Sequence, residues 1–296
     1  MPRQLDLLLT AIAPAIWGST YLVTTELLPD GYPLTVATLR ALPAGLLLLL
    51  VVRRLPRGIW WGRMAVLGAL NFSVFWALLF VAAYRLPGGV AATVGAVQPL
   101  AVILISRMVL GSPLRAAAVF AAIAGIGGVA LLILTPEAAL DPVGIAAGLG
   151  GALSMAAGTV LVRRWQPPVS LLTSVAWQLT AGGLLLLPAS LLLEPALPAP
   201  SAENLAGFVY LGLIGAALTY MLWFRGIARL EPSAVSPLGL LSPTAAVILG
   251  WAVVGETLGP LQLAGMAVVL GSVWLGQRAP AAPARPAILA VPSRAA

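Results

Sequence analysis

Polar and aromatic side chains that could bind a solute recur inside the most apolar stretches of this sequence. Helical spacing of three or four residues places Trp17 and Tyr21 on one face of the first stretch, and Asn71 and Phe75 on one face of the third. The predicted substrate-binding residues are Trp17, Tyr21, Asn71, Phe75, Gln98, Ser154, Thr159, Thr219, Tyr220 and Ser242. A cavity lined by hydroxyls, amides and rings would suit a small zwitterion with an apolar side chain.

Each of these residues also has a structural interpretation. Ser and Thr in membrane helices often bond their own backbone or close a helix contact. Asn71 and Gln98 are the strongest candidates, because an unpaired amide in hydrocarbon costs several kcal/mol. Arg40 lies about seven residues into its stretch, roughly 10 Å at the helical rise. It could bind a substrate carboxylate, but we favour snorkelling or a structural hydrogen bond.

Several chemistries are excluded by composition. The sequence has no Cys, His or Lys, and all 16 basic residues are arginines. Thiolate metal sites, imidazole relays and Schiff bases are therefore ruled out. The nine acidic residues lie at or near the ends of apolar stretches, so no carboxylate is expected at mid-membrane. We predict no enzyme, cofactor or metal site, and transport without ion coupling.

The elements that must position these side chains are membrane helices. The chain is 60% hydrophobic and 8% charged, with a mean hydropathy of +1.03, whereas soluble domains carry about 25% charged residues. The predicted fold is an all-α membrane protein of ten transmembrane helices. The apolar stretches are 5–28, 33–52, 64–84, 88–110, 114–134, 143–162, 170–193, 205–228, 232–254 and 260–277.

An internal repeat relates the two halves of the chain. A shift of 144 positions pairs Arg85 with Arg229, together with four glycines and one proline. A shift of 138 extends the match upstream, where the mate of Arg40 is Gln178. The predicted domains are two five-helix repeats, 1–135 and 142–278, followed by a disordered cytoplasmic tail, 279–296. Five helices per repeat require the halves to be inverted around a central cavity.

Matched prolines within the repeat predict two helix kinks. Pro99 and Pro243 occupy the same repeat position, and each would free the carbonyl of the glycine four residues earlier, Gly95 or Gly239. Interrupted helices at corresponding places indicate a midplane binding site in transporters. The freed carbonyls could also hold a sodium ion. A packing kink without functional meaning is the alternative.

Arginine placement predicts the orientation in the membrane. With ten helices alternating from a cytoplasmic N-terminus, fourteen arginines fall on the cytoplasmic side and one, Arg85, outside. Both termini are therefore predicted to be cytoplasmic, in a multi-pass protein of the bacterial inner membrane. The pI near 11.0 does not indicate nucleic-acid binding, because the arginines are scattered between apolar stretches.

The second half resembles the end of an EamA unit of the drug/metabolite transporter superfamily, on Pro243, Gly255-Glu256, Gln262, Gly265 and Gly271. The first half keeps Pro99, Gly111 and Gly127 but has Ser112 where that family has Glu. The likeness is greatest to the branch that exports aromatic amino acids, although Gln98 stands where an aromatic residue is expected.

The resemblance implies an exporter of aromatic and other mostly neutral amino acids. The inverted repeats predict that it works by alternating access, and we expect a monomer. Two alternatives stay open. One is an exporter of other small metabolites or lipophilic drugs, and the other is a channel-like pore.

Overall fold

The computed structural model describes residues 3–86, 94–133, 141–255 and 258–278, and this part of the chain is helical, with no strand. The predicted tail, 279–296, lies outside the described residues. Six continuous helices are α1 (Arg3–Leu27), α2 (Pro33–Val52), α4 (Gln98–Leu110), α5 (Ala116–Ile133), α6 (Pro142–Trp165) and α7 (Leu171–Leu193). A seventh is α10 (Pro260–Arg278).

Three further helices change their hydrogen-bonding pattern along their length. Helix α3 covers 60–85 and contains a π-helical turn, Ala69–Ser73. Helix α8 is Ala202–Arg229, with a π-helical centre at Tyr210–Leu218. Helix α9 covers 232–254 and contains a 3₁₀ turn, Ser236–Leu240, and a π turn, Gly250–Val254. Such irregular turns free backbone carbonyls inside a helix.

Each predicted stretch contains one helix, but the lengths differ. In the described part of the chain, eight segments are long and apolar enough to cross a membrane. The other two, Gln98–Leu110 and Ala116–Leu132, are shorter. Helix α4 begins at Gln98 because Pro99, with no backbone N–H, fits the first turn of a helix better than its interior.

The helices pack into two three-helix bundles and two pairs. Helix α1 packs against α8 and α9, which we call the α1 bundle, and helix α6 packs against α3 and α4, which we call the α6 bundle. The extensive pairs are α2 with α7 and α5 with α10. Each bundle therefore takes helices from both predicted repeats.

Small residues let paired helices approach closely. A Cβ added to Gly45 of α2 would lie 2.5 Å from the backbone nitrogen of Thr180 in α7. A Cβ added to Gly183 of α7 would lie 2.6 Å from Cβ of Leu42 in α2. Backbones this close are the typical way in which membrane helices gain packing energy without a hydrophobic driving force.

Acidic side chains stabilise helix ends. Asp6 near the start of α1 lies 2.6 Å from Arg225 and 3.4 Å from Arg229 of α8. At the start of α6, Asp141 accepts a bond from the Gly144 amide and lies 3.5 Å from Arg85 of α3. That amide, helped by the Arg85 charge, lowers the pKa of Asp141 below its usual value.

Candidate functional site

A chain of aromatic rings fills the centre of the molecule, and we call it the aromatic cluster. Its members are Trp17, Phe72, Trp76, Tyr220, Trp223 and Phe224. The rings of Trp17 and Tyr220 are 5.2 Å apart within the α1 bundle, and those of Phe72 and Tyr220 are 4.5 Å apart across the two bundles. The cluster therefore joins α3 of one bundle to α8 of the other.

Trp17 is held by the irregular centre of α8. Its indole N–H donates to the Thr219 hydroxyl at 2.9 Å, and that hydroxyl donates to the Gly215 carbonyl at 2.9 Å. The neighbouring Trp223 is 1% exposed, and its indole N–H has no hydrogen-bond partner among the described residues. A buried donor without a partner is costly unless another molecule sometimes takes its place.

Asn71 lies in the π turn of α3 and contacts α7. Its side-chain N–H donates to Gln178 Oε1 at 3.1 Å, and the amide N–H of Gln178 donates to Ser174 at 3.1 Å. Asn71 and Gln178 are fully buried. The Asn71 Oδ1 atom lies against Gly158 and has no hydrogen-bond partner in the described part of the chain. One acceptor is therefore available at this point.

Helix α6 places two predicted residues beside the same turn. Ser154 donates to the carbonyl of Leu70 at 2.9 Å, so its hydroxyl caps a carbonyl next to Asn71. Thr159 is 1% exposed, and its hydroxyl has no partner among the residues described. Ser154 thus closes a contact between two helices, which was the structural alternative to substrate binding for Ser and Thr. Thr159 keeps unused hydrogen-bonding capacity.

Arg40 reaches from α2 towards both bundles. Its guanidinium donates to the carbonyl of Gly215 at 2.7 Å and lies 5.1 Å from the ring centre of Trp76. These contacts confirm the structural hydrogen bond that the sequence favoured and show that the side chain turns into the protein. Gly215 is an acceptor because the π-helical centre of α8 shifts the usual bonding pattern.

Both helices with matched prolines are interrupted, but not by a simple kink. In α4 the regular helix starts at Gln98, after a turn at residues 96 and 97, and Pro99 lies in the first helical turn. In α9 the 3₁₀ turn precedes Pro243, and the Leu241 amide points at the Gly239 carbonyl. The regular bond of this tight turn runs from the Leu241 amide to the Leu238 carbonyl, so the freed Gly239 carbonyl stays a prediction.

Three of the remaining predicted residues are partly buried. Phe75 is half-buried and packs on the core. Gln98 is half-buried at the start of α4, next to Gly95. Ser242 is half-buried, and its carbonyl lies against Gly18 of α1. The side chain of Tyr21 lies outside what the structure describes.

Sequence reasoning missed part of the centre. Trp76, which is 4% exposed, and Phe72, which is fully buried, were not among the predicted site residues. The sequence identified Gln178 only as the repeat mate of Arg40. That pairing was the sequence signal that could have placed Gln178 in the predicted site.

An outer cavity of about 580 Å³ lies between α5 and α10, away from the aromatic cluster. Its lining is apolar and consists of Ala124, Gly127, Ala130, Leu131, Leu261 and Val268. Leu131, Leu261 and Val268 are also partly exposed on the outer surface of the helices. This groove offers no polar group to a zwitterion, so the central cluster remains the candidate site.

Helices, paired glycines and a polar centre define a multi-pass membrane transporter, and comparisons with known proteins give its family. The EamA-like transporter family model matches residues 4–134 and again 142–276, so the chain belongs to that family. Protein PecM of Dickeya dadantii (strain 3937) is 45% identical, over 90% of this chain and 90% of that protein.

Two more distant likenesses extend this result. The "Probable amino-acid metabolite efflux pump" of Salmonella typhimurium is 26% identical over 91% of this chain and 94% of that protein. A solved structure described as "Crystal structure of protein" shares the fold, with a TM-score of 0.79 at 20% identity, over 92% of this chain and 96% of that one. The chain is thus a small-molecule transporter of the inner membrane, and the family's members are not enzymes.

Proposed function

We propose that this protein exports amino acids, chiefly aromatic and other neutral ones, by alternating access. The observation that carries the proposal is the central aromatic cluster, flanked by the Arg40 guanidinium and by the Asn71 oxygen, which has no partner among the described residues. Rings suit an apolar side chain, and the two polar groups suit the charged ends of an amino acid. A relative named as a probable amino-acid metabolite efflux pump agrees with this substrate class.

The proposed alternating access rests on the prediction of two inverted five-helix repeats, which two observations support. The same family model matches each half of the chain. The helix contacts also follow the repeat, in which helix n of the first half corresponds to helix n + 5 of the second. Under this exchange the α1–α8 and α1–α9 contacts become α6–α3 and α6–α4. The α2–α7 and α5–α10 pairs are unchanged by it. Two pseudo-equivalent bundles can exchange conformations and open the interface between them to either side.

Transport is proposed to run down the substrate gradient. Proton or sodium coupling in membrane proteins commonly uses an acidic group in the pathway. Among the described residues, Asp6, Asp141 and Glu194 all lie at helix ends, where they bind arginines or backbone amides. No group of three or more metal-binding side chains occurs in the described part of the chain.

The proposal includes a monomer with both termini in the cytoplasm. The arginine distribution supports this orientation, since positive residues favour the cytoplasmic side. The contacts described at the centre join helices of one chain, which supports a pathway within a monomer.

Counterflow in proteoliposomes tests the function. Vesicles loaded with unlabelled phenylalanine should take up labelled phenylalanine transiently and saturably. Asn71→Ala and Gln98→Ala should reduce this uptake, whereas Arg107→Gln, on an exposed side chain, should not. Lack of uptake for any amino acid would overturn the substrate class, and unchanged uptake by both site variants would overturn the site.

Further measurements separate the alternatives. A channel-like pore would conduct without saturation or counterflow. Competition by lipophilic cations, without competition by amino acids, would favour a drug exporter. Accumulation driven by an imposed pH or sodium gradient would contradict the uncoupled mechanism.

A further inference from the structure

Arg40 places its cationic group at the middle of the membrane-spanning part of α8. Its acceptor, Gly215, is the fourteenth residue of the 28-residue segment Ala202–Arg229. A charged side chain at this depth is expensive, and such side chains mark substrate or ion pathways in membrane proteins. The depth therefore calls for an explanation beyond the anchoring of α2.

Arg40 also lies where the two bundles meet. Helix α2 belongs to neither bundle, yet the guanidinium bonds α8 of the α1 bundle and stacks beside Trp76 of α3 in the α6 bundle. When the bundles separate to admit a solute, at least one of these two contacts must break. A carboxylate entering there can replace a neutral carbonyl acceptor and gain a charge-assisted, two-point hydrogen bond.

The repeat places a neutral counterpart at the equivalent position. Gln178 is the mate of Arg40 at a shift of 138, and Asn71 is the mate of Gly215 at a shift of 144. The Arg40–Gly215 contact is thus matched by Gln178–Asn71, in which the amide oxygen of Asn71 remains without a partner among the described residues. That oxygen can accept from an ammonium group, whereas Arg40 can only donate.

We propose that Arg40 binds the carboxylate of the transported amino acid and that Asn71 accepts a hydrogen bond from its ammonium group. Because the two mated positions have diverged, the site distinguishes one charged group of the substrate from the other. Arg40 is then a specificity-determining residue, and the aromatic cluster beside these groups takes the side chain. This inference rests on the proposed function and deepens it by assigning the two charged ends of the substrate.

Selectivity between an acid and its amide tests Arg40. Counterflow is measured with phenylalanine and with phenylalaninamide, which keeps the ring and the amino group but has no carboxylate. The wild type should prefer the acid by at least about thirtyfold in kcat/KM, as expected for loss of a charge-assisted pair. In Arg40→Gln this preference should fall to about threefold or less, because amide transport persists while acid transport drops.

Two variants keep the test informative. Arg40→Lys keeps the charge without the planar fork, and it should retain the preference with a raised KM for the acid. Arg107→Gln removes an exposed arginine and should leave both rates unchanged. If Arg40→Gln fails to fold, Arg40→Lys and the wild-type preference still decide the question.

The outcomes separate the two proposals. Equal wild-type transport of acid and amide, or an undiminished preference in Arg40→Gln, would overturn the role of Arg40 while leaving amino-acid transport in place. Failure of the wild type to carry any amino acid would instead overturn the proposed function.

Discussion

Two helix contacts related by the repeat differ in chemistry at the same depth. Arg40 of α2 bonds the Gly215 carbonyl of α8, whereas Gln178 of α7 bonds the Asn71 amide of α3. The glycines beside them are alike, since Gly45 and Gly183 are mates at a shift of 138 and each lies against the partner helix. The repeat has thus kept its packing while its polar centre has diverged.

The largest expected effect concerns the shared packing. Gly45→Ala and Gly183→Ala should each destabilise the protein by about 2 to 3 kcal/mol, because the new methyl group meets the partner helix with little room to relax. Thermal unfolding in detergent measures the loss. Gly127→Ala is the matched control, since a Cβ there meets nothing within 4 Å. A large difference in destabilisation between Gly45→Ala and Gly183→Ala would contradict the conclusion that the repeat has kept its packing.

The Asn71–Gln178 contact should respond to mutation as a buried pair of amide side chains. Gln178→Leu leaves Asn71 without its acceptor and should cost about 1 to 3 kcal/mol of stability. The double variant Asn71→Leu/Gln178→Leu should recover much of that stability, since both partners become apolar, but it should not recover transport. Thermal unfolding and counterflow on the same samples check both points. Restored transport in the double variant would remove Asn71 from the site.

The helical fold was largely predictable, because apolar length is a property of single stretches. The central site was less so. Trp76 could not be assigned to the interior, since lipid and protein core are equally apolar and hydropathy does not separate them. The Asn71–Gln178 bond joins residues far apart in sequence, and nothing local shows that α3 faces α7. The π turns that expose the Gly215 carbonyl also left no sequence signal.

A smaller effect is expected at the contact between the bundles at the C-terminal end of α8. Arg163 of α6 donates to the carbonyls of Ile227 and Ala228, so it joins the two bundles. Arg163→Gln should loosen this end, so a cysteine introduced at the buried Ile227 should react several times faster with a maleimide. Labelling is specific because the wild-type chain has no cysteine. Arg164→Gln is the control, since Arg164 bonds Val109 within the α6 bundle. Equal effects of both variants would contradict the division into bundles.

The smallest effect is a pH dependence at the start of α6. The pKa of Asp141 is lowered by the Gly144 amide and Arg85, so its stabilising contribution is full above the ordinary aspartate pKa of about 4 and is lost as the pH falls through the lower folded value. The Tm difference between wild type and Asp141→Asn should therefore be present at pH 7 and shrink towards pH 3. A difference that is constant across this range would show that the charge of Asp141 does not contribute.

Crosslinking tests most directly the claim that transport requires the two bundles to move against each other. Cysteines at Arg163 and Ala228 join the bundles, whereas cysteines at Arg164 and Val109 stay within one bundle. A bifunctional thiol reagent about as long as an arginine side chain should abolish counterflow in the first pair, reversibly on reduction, and leave the second pair active. Full activity of the first pair after complete crosslinking would contradict the account.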